Sequence, residues 1–414
     1  MITNKKIDLY NYAIILVSIF PILGLKKSSI SIIIFSVFSV VIFFSERNYK
    51  EIKKKDLLNF FILSSYFIAY FISYFFVDNK TIMLKLLEQN LSFLVFPLFF
   101  IFNNKSIYSS TLKKSLKFFV ISNVLLAILI WYRILEVGLT KILREDNYYN
   151  PIVRNIFSDI SEMHLPYLGM LYVFSSLVLL NNVIKHERRK IFIILNVLAI
   201  IILLFSVFLF ASRMALFIFL FIATIMILKE INLKKKIIFF VLSFILILPV
   251  YFIPTIKNRL NDLKITKLIL PQKNQTSADV NFRYGIYNCT WYLLKENWMF
   301  GVGPQNVQKK LDECYSNYTY KNYDDFNKVT YNTHNQYFDV FLKYGILGLL
   351  LFFIFLFWGI KNKNPIYWFF LFLILFSMLT ENIFNRQIGI VFFNFFNTLF
   401  FLSYLKSKKT QNEN

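Results

Sequence analysis

Apolar runs of membrane-spanning length alternate with short basic connectors along most of this chain. A helix needs about 20 apolar residues to cross the bilayer core, and windows of that length predict about twelve spans. The pattern therefore predicts an all-α, polytopic membrane protein with a single integral membrane domain over residues 1–414. The predicted spans are 10–25, 28–44, 57–77, 82–102, 115–137, 164–185, 191–210, 214–228, 237–253, a tenth that starts at 334 or 338 and ends at 360, 365–380 and 388–405.

One long polar interruption, residues 255–333, separates the ninth predicted span from the tenth. At about 80 residues it is far longer than an ordinary connection in a compact domain. Asp279 is a candidate N-cap for a helix that continues to about Asn297, and a second short helix is expected after the turn that follows. The interruption contains Cys289 and Cys314, which either form a disulfide in an oxidising compartment or remain two buried thiols.

The charge of the chain is strongly basic, with a formal net charge of +23 beside 57% hydrophobic residues. The basic residues cluster in alternate connectors, which is the pattern of cytoplasmic loops and does not favour nucleic-acid binding. We therefore predict that both termini are cytoplasmic and that the long interruption lies outside. The basic clusters are 53–55, 113–114, 188–190, 234–236 and 406–409.

Three side chains that can carry chemistry fall on the predicted external side: Arg213, Arg283 and His334. Paired guanidinium forks suit a diphosphate, because each can donate two charge-assisted hydrogen bonds. An imidazole with an ordinary pKa of about 6.5 can take a proton from a hydroxyl group at neutral pH. Together they indicate group transfer from a lipid-linked diphosphate to an external hydroxyl. For Arg213 the alternative is a side chain that snorkels to lipid headgroups.

Other motifs that would indicate a different chemistry are missing from the sequence. Cysteine and histidine never occur at zinc spacing, and there is no GxGxxG, P-loop or GxSxG pattern. We therefore predict neither a metal nor a cofactor. Glu88 lies three residues after Lys85 and either pairs with it or faces a polar cavity, and His164 is either a packing residue or a functional one.

Three motifs of this sequence resemble the bacterial O-antigen ligase and polymerase superfamily. They are ASRMALFIF at 211–219, Arg283 and Trp291 followed by NWMFGVGPQNV at 297–307, and HNQYFDVFLKYGILGL at 334–349. The last is the most specific, and Trp298 stands where the second motif usually has proline. The resemblance assigns residues 211–353 to a core region related to O-antigen ligases and extends to the number of predicted spans.

The resemblance implies an inverting, metal-independent glycosyltransferase at the periplasmic face of the bacterial inner membrane. It implies that Arg213 and Arg283 hold the diphosphate of an undecaprenyl-diphosphate-linked glycan. His334 would activate or orient the acceptor hydroxyl, and Asn335 and Tyr337, in the same motif, would bind substrate.

The acceptor is left open between lipid A–core, for a ligase, and another lipid-linked repeat, for a polymerase. One dominant loop favours a ligase. A polysaccharide flippase or transporter is a further alternative, but it predicts charges near the bilayer midplane and an internal repeat. The candidate charges here lie instead at one membrane face.

Overall fold

The computed structural model describes residues 2–138, 151–185, 189–209, 212–229, 236–237, 282–316 and 330–413. Helices and turns account for these residues, with no strand among them, so the predicted all-α class is confirmed for this part of the chain. The helices before residue 162 are α1 (Ile2–Ser18), α2 (Phe20–Ser45), α3 (Lys54–Leu63), α4 (Ser65–Tyr74), α5 (Lys80–Gln89), α6 (Ser92–Phe102), α7 (Thr111–Val137) and α8 (Pro151–Ser161).

The second part of the chain contributes both long spans and shorter segments. Its helices are α9 (Leu165–Lys185), α10 (Lys190–Leu209), α11 (Arg213–Leu228), α12 (Phe282–Glu296), α13 (Val307–Tyr315), α14 (Gln336–Phe357), α15 (Pro365–Ser377) and α16 (Gln387–Glu413). Short 3-10 helices occur at Asn48–Glu51, Asn104–Ser106 and Ile383–Asn385.

Several of these helices have the length and composition of membrane spans. Among the described residues six helices qualify, and the number rises to eight if the bent pairs α3–α4 and α5–α6 each form one span. The bends are 70° and 46°. The chain is thus a multi-pass membrane protein, whereas the predicted count of about twelve stays a prediction. The predicted span 237–253 lies almost wholly outside the described residues.

The first two predicted spans are divided differently in the structure. Helix α1 ends at Ser18, and α2 begins at Phe20 and is interrupted at Gly24, which has φ +70°. Glycine adopts this left-handed backbone without steric cost, so the chain can turn there. Pro21 favours a helix start because it needs no amide donor in the first turn.

Phenylalanine rings packed edge to face fill the centre of the bundle, where α7, α9 and α16 meet. Phe119 and Phe396 have ring centroids 5.0 Å apart, and those of Phe174 and Phe392 are 5.5 Å apart. All four side chains are fully buried. Because α9 and α16 are mostly buried, they form the core on which the surrounding helices pack.

Helices α12 and α13 pack together against the first half of α14. Their shared core includes Ile286, Leu293, Leu311 and Leu342, all buried. A disulfide joins Cys289 to Cys314, which resolves the alternative between a disulfide and free thiols. Both predicted helices of the interruption are present, α12 within the predicted range 279–297 and α13 after the turn. The predicted N-cap Asp279 lies outside the described residues.

The turn between α12 and α13 is hydrogen-bonded to α14 where that helix is interrupted at Gly345. Gly345 has φ +64° within the helix, and the regular bond from the Ile346 amide to the Leu342 carbonyl is replaced by two others. The Ile346 amide donates to the Trp298 carbonyl at 2.9 Å, and the Leu342 carbonyl accepts from the Val302 amide at 2.7 Å. The turn thus satisfies both backbone groups that the break leaves without a partner.

Candidate functional site

The turn that leads into α14 holds His334 in an unusual backbone conformation. Its φ is +46°, a left-handed value that is strained for a residue with a side chain. The Asn332 side-chain oxygen accepts from the His334 amide at 2.9 Å. Asn335 then caps the helix, its side-chain oxygen accepting from the amides of Tyr337 at 3.0 Å and Phe338 at 3.1 Å. The imidazole is therefore fixed at the N-terminal end of α14.

Residues 378–384 are tied to this same turn by buried hydrogen bonds. The Gln336 amide donates to the Met378 carbonyl at 2.9 Å, and the Gln336 side-chain oxygen accepts from the Phe384 amide at 2.7 Å. The Asn382 side-chain amide donates to the Thr333 hydroxyl at 2.9 Å. These bonds fix the position of Glu381 beside the imidazole.

Glu381 lies between the two site residues that the sequence analysis identified. Its Oε1 is 3.7 Å from a guanidinium nitrogen of Arg283, and its Oε2 is 3.9 Å from Nδ1 of His334. The Arg283 side chain is 52% exposed, whereas those of Glu381 and His334 are 24% and 26% exposed. One carboxylate thus connects an accessible cation to a partly buried imidazole; we call these three residues the site cluster.

The environment of the site cluster keeps the imidazole neutral. Burial, and to a smaller extent the Arg283 charge, lowers the pKa of His334 from 6.5 to about 4. Among the described residues, Nδ1 of His334 has no hydrogen-bond partner. Burial also raises the pKa of Glu381 above its ordinary value, while Arg283 and Arg386 oppose that rise. The pKa of His334 thus lies below the ordinary value of about 6.5 used in the sequence analysis, because partial burial and, to a smaller extent, the neighbouring cation disfavour imidazolium.

Tyr287 lies one turn after Arg283 on α12 and borders the site cluster. Its hydroxyl is 3.5 Å from the His334 carbonyl, the limit of a hydrogen bond. Burial raises the pKa of this phenol, and Glu381 adds to the rise. Tyr287 is therefore a neutral hydroxyl beside the imidazole at neutral pH.

The other three sequence-predicted site residues differ in what the structure describes. Arg213 is the first residue of α11, but its side chain lies outside the described part of the chain. Besides capping α14, Asn335 donates to the Leu379 carbonyl at 3.2 Å. The Tyr337 hydroxyl donates to the Leu375 carbonyl at 2.9 Å. Both polar groups thus make structural bonds, and their assignment to substrate binding stays a prediction.

Glu381 has no predicted role in the sequence motifs, although its position carries a signal. An acidic residue between two apolar runs, 365–380 and 388–405, on the same predicted side as His334 is unusual enough to examine.

Among the described residues, no group of three or more His, Cys, Asp or Glu side chains is placed to hold a metal ion. The chemistry available to the site cluster is thus that of one cation, one carboxylate and one imidazole.

These features define a multi-pass α-helical membrane protein with an ionisable site at one end of its helices. A family model described as "O-Antigen ligase" matches residues 198–353. The matched residues contain all three motifs named above, so the resemblance to the O-antigen ligase-related superfamily is confirmed for this region of the chain. No curated protein matches the chain. The matched region includes Arg213, Arg283 and His334 and ends before Glu381.

Proposed function

We propose that this protein is a membrane glycosyltransferase that moves a glycan from an undecaprenyl-diphosphate donor to a hydroxyl acceptor. The observation that carries the proposal is the site cluster, in which Glu381 joins Arg283 to His334 within 3.9 Å. Such an arrangement can bind an anionic leaving group on one side and accept a proton on the other. The family match of residues 198–353 supports the same assignment.

Arg283 is proposed to bind the diphosphate of the donor. Its guanidinium is half exposed and lies 3.7 Å from Glu381, beyond a normal hydrogen-bond length. A diphosphate offers bidentate, charge-assisted hydrogen bonds that this weak contact does not supply. Arg213 is proposed as the second guanidinium at the diphosphate. We expect both to stabilise the negative charge that grows on the leaving group.

His334 is proposed to accept the proton of the acceptor hydroxyl. The acceptor oxygen forms a bond to the anomeric carbon while the bond from that carbon to the diphosphate oxygen breaks. The bonding pair leaves with the diphosphate, and the hydroxyl proton passes to Nε2 of the neutral imidazole. Glu381, 3.9 Å from Nδ1, stabilises the imidazolium that forms. A single displacement of this kind inverts the anomeric configuration and needs no metal ion.

Donor binding is expected to make His334 a stronger base. In the free protein the Arg283 charge contributes to the low pKa of His334. When Arg283 binds the diphosphate, the negative charge of the donor offsets the effect of the Arg283 charge on the pKa of His334. Glu381 then loses its contact with Arg283 and can move closer to the imidazole. Both changes raise the pKa of His334 toward the range useful at neutral pH. The base is thus activated only when a donor is present.

We propose lipid A–core as the acceptor, which makes the protein an O-antigen ligase of the periplasmic face of the bacterial inner membrane. Both termini would then be cytoplasmic. The long interruption 255–333 supports a ligase, since it is the one large loop of the sequence. The alternative within the same superfamily is a polymerase, whose acceptor is a second lipid-linked glycan, and a polysaccharide flippase is less favoured.

Purified protein in proteoliposomes tests this function directly. The donor is an undecaprenyl-diphosphate glycan, and the acceptor is either lipid A–core or a second lipid-linked glycan. We expect transfer by the native protein, and His334→Ala should abolish it while retaining donor binding.

His186→Ala, which changes a histidine of the predicted cytoplasmic connector, is the matched control and should keep full activity. A product on lipid A–core identifies a ligase, and an elongated lipid-linked glycan identifies a polymerase. Equal transfer by His334→Ala would refute the catalytic assignment.

A further inference from the structure

Three consecutive large apolar residues, Trp298, Met299 and Phe300, lie on the surface of the turn between α12 and α13. Their exposed fractions are 53%, 48% and 73%. We call Trp298–Phe300 the aromatic turn. An exposed apolar patch of this kind in a folded protein usually marks a contact with another molecule or with a membrane.

Backbone contacts place the aromatic turn at a defined level along α14. The Trp298 carbonyl accepts from the Ile346 amide at 2.9 Å. A Cβ atom added to Gly345 would lie 2.0 Å from the Met299 carbonyl oxygen, so the two backbones touch there. The turn therefore lies beside the break in α14, well below the N-terminal end of that helix, where His334 is located.

The distance from that level to the far end of α14 indicates where it would lie in a bilayer. Twelve helical residues separate Gly345 from the end of α14 at Phe357, and the basic connector follows at Lys361. The helical part extends about 18 Å, compared with about 30 Å for the hydrocarbon core, so Gly345 lies in the half of the core nearer the candidate site. Tryptophan and other aromatic side chains are enriched at the boundary of the core because one end of the ring is apolar and the other can remain hydrated.

The surface directly below the aromatic turn has the properties of a lipid-facing stripe. Leu347, Leu350, Leu351 and Ile354 are all at least 50% exposed. Leu347 and Ile354 are each three or four residues from the adjacent pair Leu350 and Leu351, so the four share one face of α14. The aromatic turn contacts the backbone of α14 at Gly345 and Ile346, directly before the first residue of this stripe. Lys309 and Lys310 on α13 are exposed too, and they mark a polar surface suited to water.

We propose that the aromatic turn Trp298–Phe300 is inserted into the bilayer at the boundary of the leaflet nearest the candidate site. Lipid headgroups and the first part of the acyl chains contact its side chains. The insertion anchors α12, whose other end carries Arg283, so that this guanidinium has a fixed depth relative to the membrane. This contact is independent of the reaction that the site cluster performs.

A fluorescent probe at position 300 measures this depth without disturbing the core. Cys289 and Cys314 form a disulfide, so Phe300→Cys gives one free thiol for a bimane label. Labelled protein is placed in phosphatidylcholine vesicles that contain a nitroxide lipid, with the nitroxide near the headgroup or at the middle of the acyl chain. Iodide is the quencher in water. Leu350→Cys is the lipid-facing control, and Lys309→Cys is the water-facing control.

We expect the probe at position 300 to have blue-shifted emission and stronger quenching by the shallow nitroxide than by the deep one. Iodide should quench it much less than the probe at position 309. If position 300 behaves as position 309 does, the turn faces water and the proposal is wrong. Protection from both kinds of quencher would show that a protein surface covers the turn, and this outcome would also overturn the proposal.

Discussion

The two halves of α14 have opposite surfaces although they belong to one helix. In the first half Gln336, Asp339 and Lys343 are buried, and Asp339 forms an ion pair with Lys343. The second half, from Ile346 to Phe357, has no charged residue and exposes an apolar stripe. A polar face inside protein and an apolar face toward lipid thus follow each other along the same axis.

The buried polar residues in the first half of α14 position the site cluster, and the apolar second half has no such role. The buried ion pair contributes little net stability after the cost of removing two charges from water, but it orients the groups around it. Gln336 is 3.4 Å from an Asp339 oxygen and accepts from the amide of Phe384, so the polar half of α14 fixes the segment that carries Glu381. The break at Gly345 separates this polar half from the lipid-facing half.

After the complete loss of transfer expected for His334→Ala, the largest expected effect is that of changing Arg283, whose partner Glu381 lies on the segment that the polar half of α14 fixes. Arg283→Lys keeps the charge but loses the planar fork. Because a hydrogen bond to a charged group contributes about 1.5–3 kcal/mol, the variant should lose about tenfold to a hundredfold of its transfer rate. Arg283→Ala should be only slightly worse. Transfer is measured in proteoliposomes at equal protein amounts.

Arg133→Lys is the matched control, since Arg133 is exposed and pairs with Glu136 on α7. It should transfer at the native rate. Full activity in Arg283→Ala, with the protein inserted and folded, would leave Arg283 outside the reaction.

The second expected effect is a loss of thermal stability when the turn beside the break at Gly345 is altered. Gly301 and Gly303 both have positive φ, +73° and +80°. A Cβ added at Gly301 would lie 2.5 Å from the Leu342 carbonyl oxygen, whereas at Gly303 the nearest atom is 3.8 Å away. Backbone strain should destabilise both alanine variants by about 1–3 kcal/mol. Only Gly301→Ala should also push the turn away from α14.

We therefore expect a larger fall in the thermal midpoint for Gly301→Ala than for Gly303→Ala. Size-exclusion chromatography of heated, detergent-solubilised protein measures that midpoint. Equal decreases in the thermal midpoint of the two variants would mean that backbone strain alone destabilises them. The contact between the turn and α14 would then make no measurable contribution to stability.

The sequence predicts helices better than it predicts how they meet. The long apolar runs identify most spans, because membrane hydropathy is a property of each segment alone. The bends at Ser64 and near Asn90 were missed, since a continuous apolar run does not show where packing turns the chain. Arg283 and His334 were found because their motifs are local. Glu381 joins them only through hydrogen bonds between segments 333–336 and 378–384, which no local pattern reveals.

A third and smaller effect is the pH response of the donor-free site. Modification by diethylpyrocarbonate needs a neutral imidazole, and His164→Gln with His186→Gln leaves His334 as the single histidine. With a pKa of about 4, the rate of modification of His334 should stay nearly constant from neutral pH to about pH 5. An imidazole with an ordinary pKa of about 6.5 would lose most of its rate over that interval.

Arg283→Gln removes a nearby positive charge, so it should raise the pKa of His334 and shift the fall in rate to higher pH. The shift should be modest, because burial is the larger cause of the low value. A native protein whose modification rate falls sharply between pH 7 and pH 6 would show that His334 is more hydrated than its partial burial beside Glu381 indicates.

The smallest expected effect is that of a chelator. If guanidinium groups neutralise the diphosphate, EDTA should leave the transfer rate unchanged, because arginine remains charged at any pH of the assay. Glu381 is the one carboxylate of the site cluster, and a single carboxylate already engaged with a guanidinium is a poor ligand for a divalent cation. The assay compares EDTA-treated protein with the same protein after magnesium or manganese is restored. A complete loss that either cation reverses would assign the neutralising charge to a metal ion and would reduce Arg283 to a residue that positions Glu381.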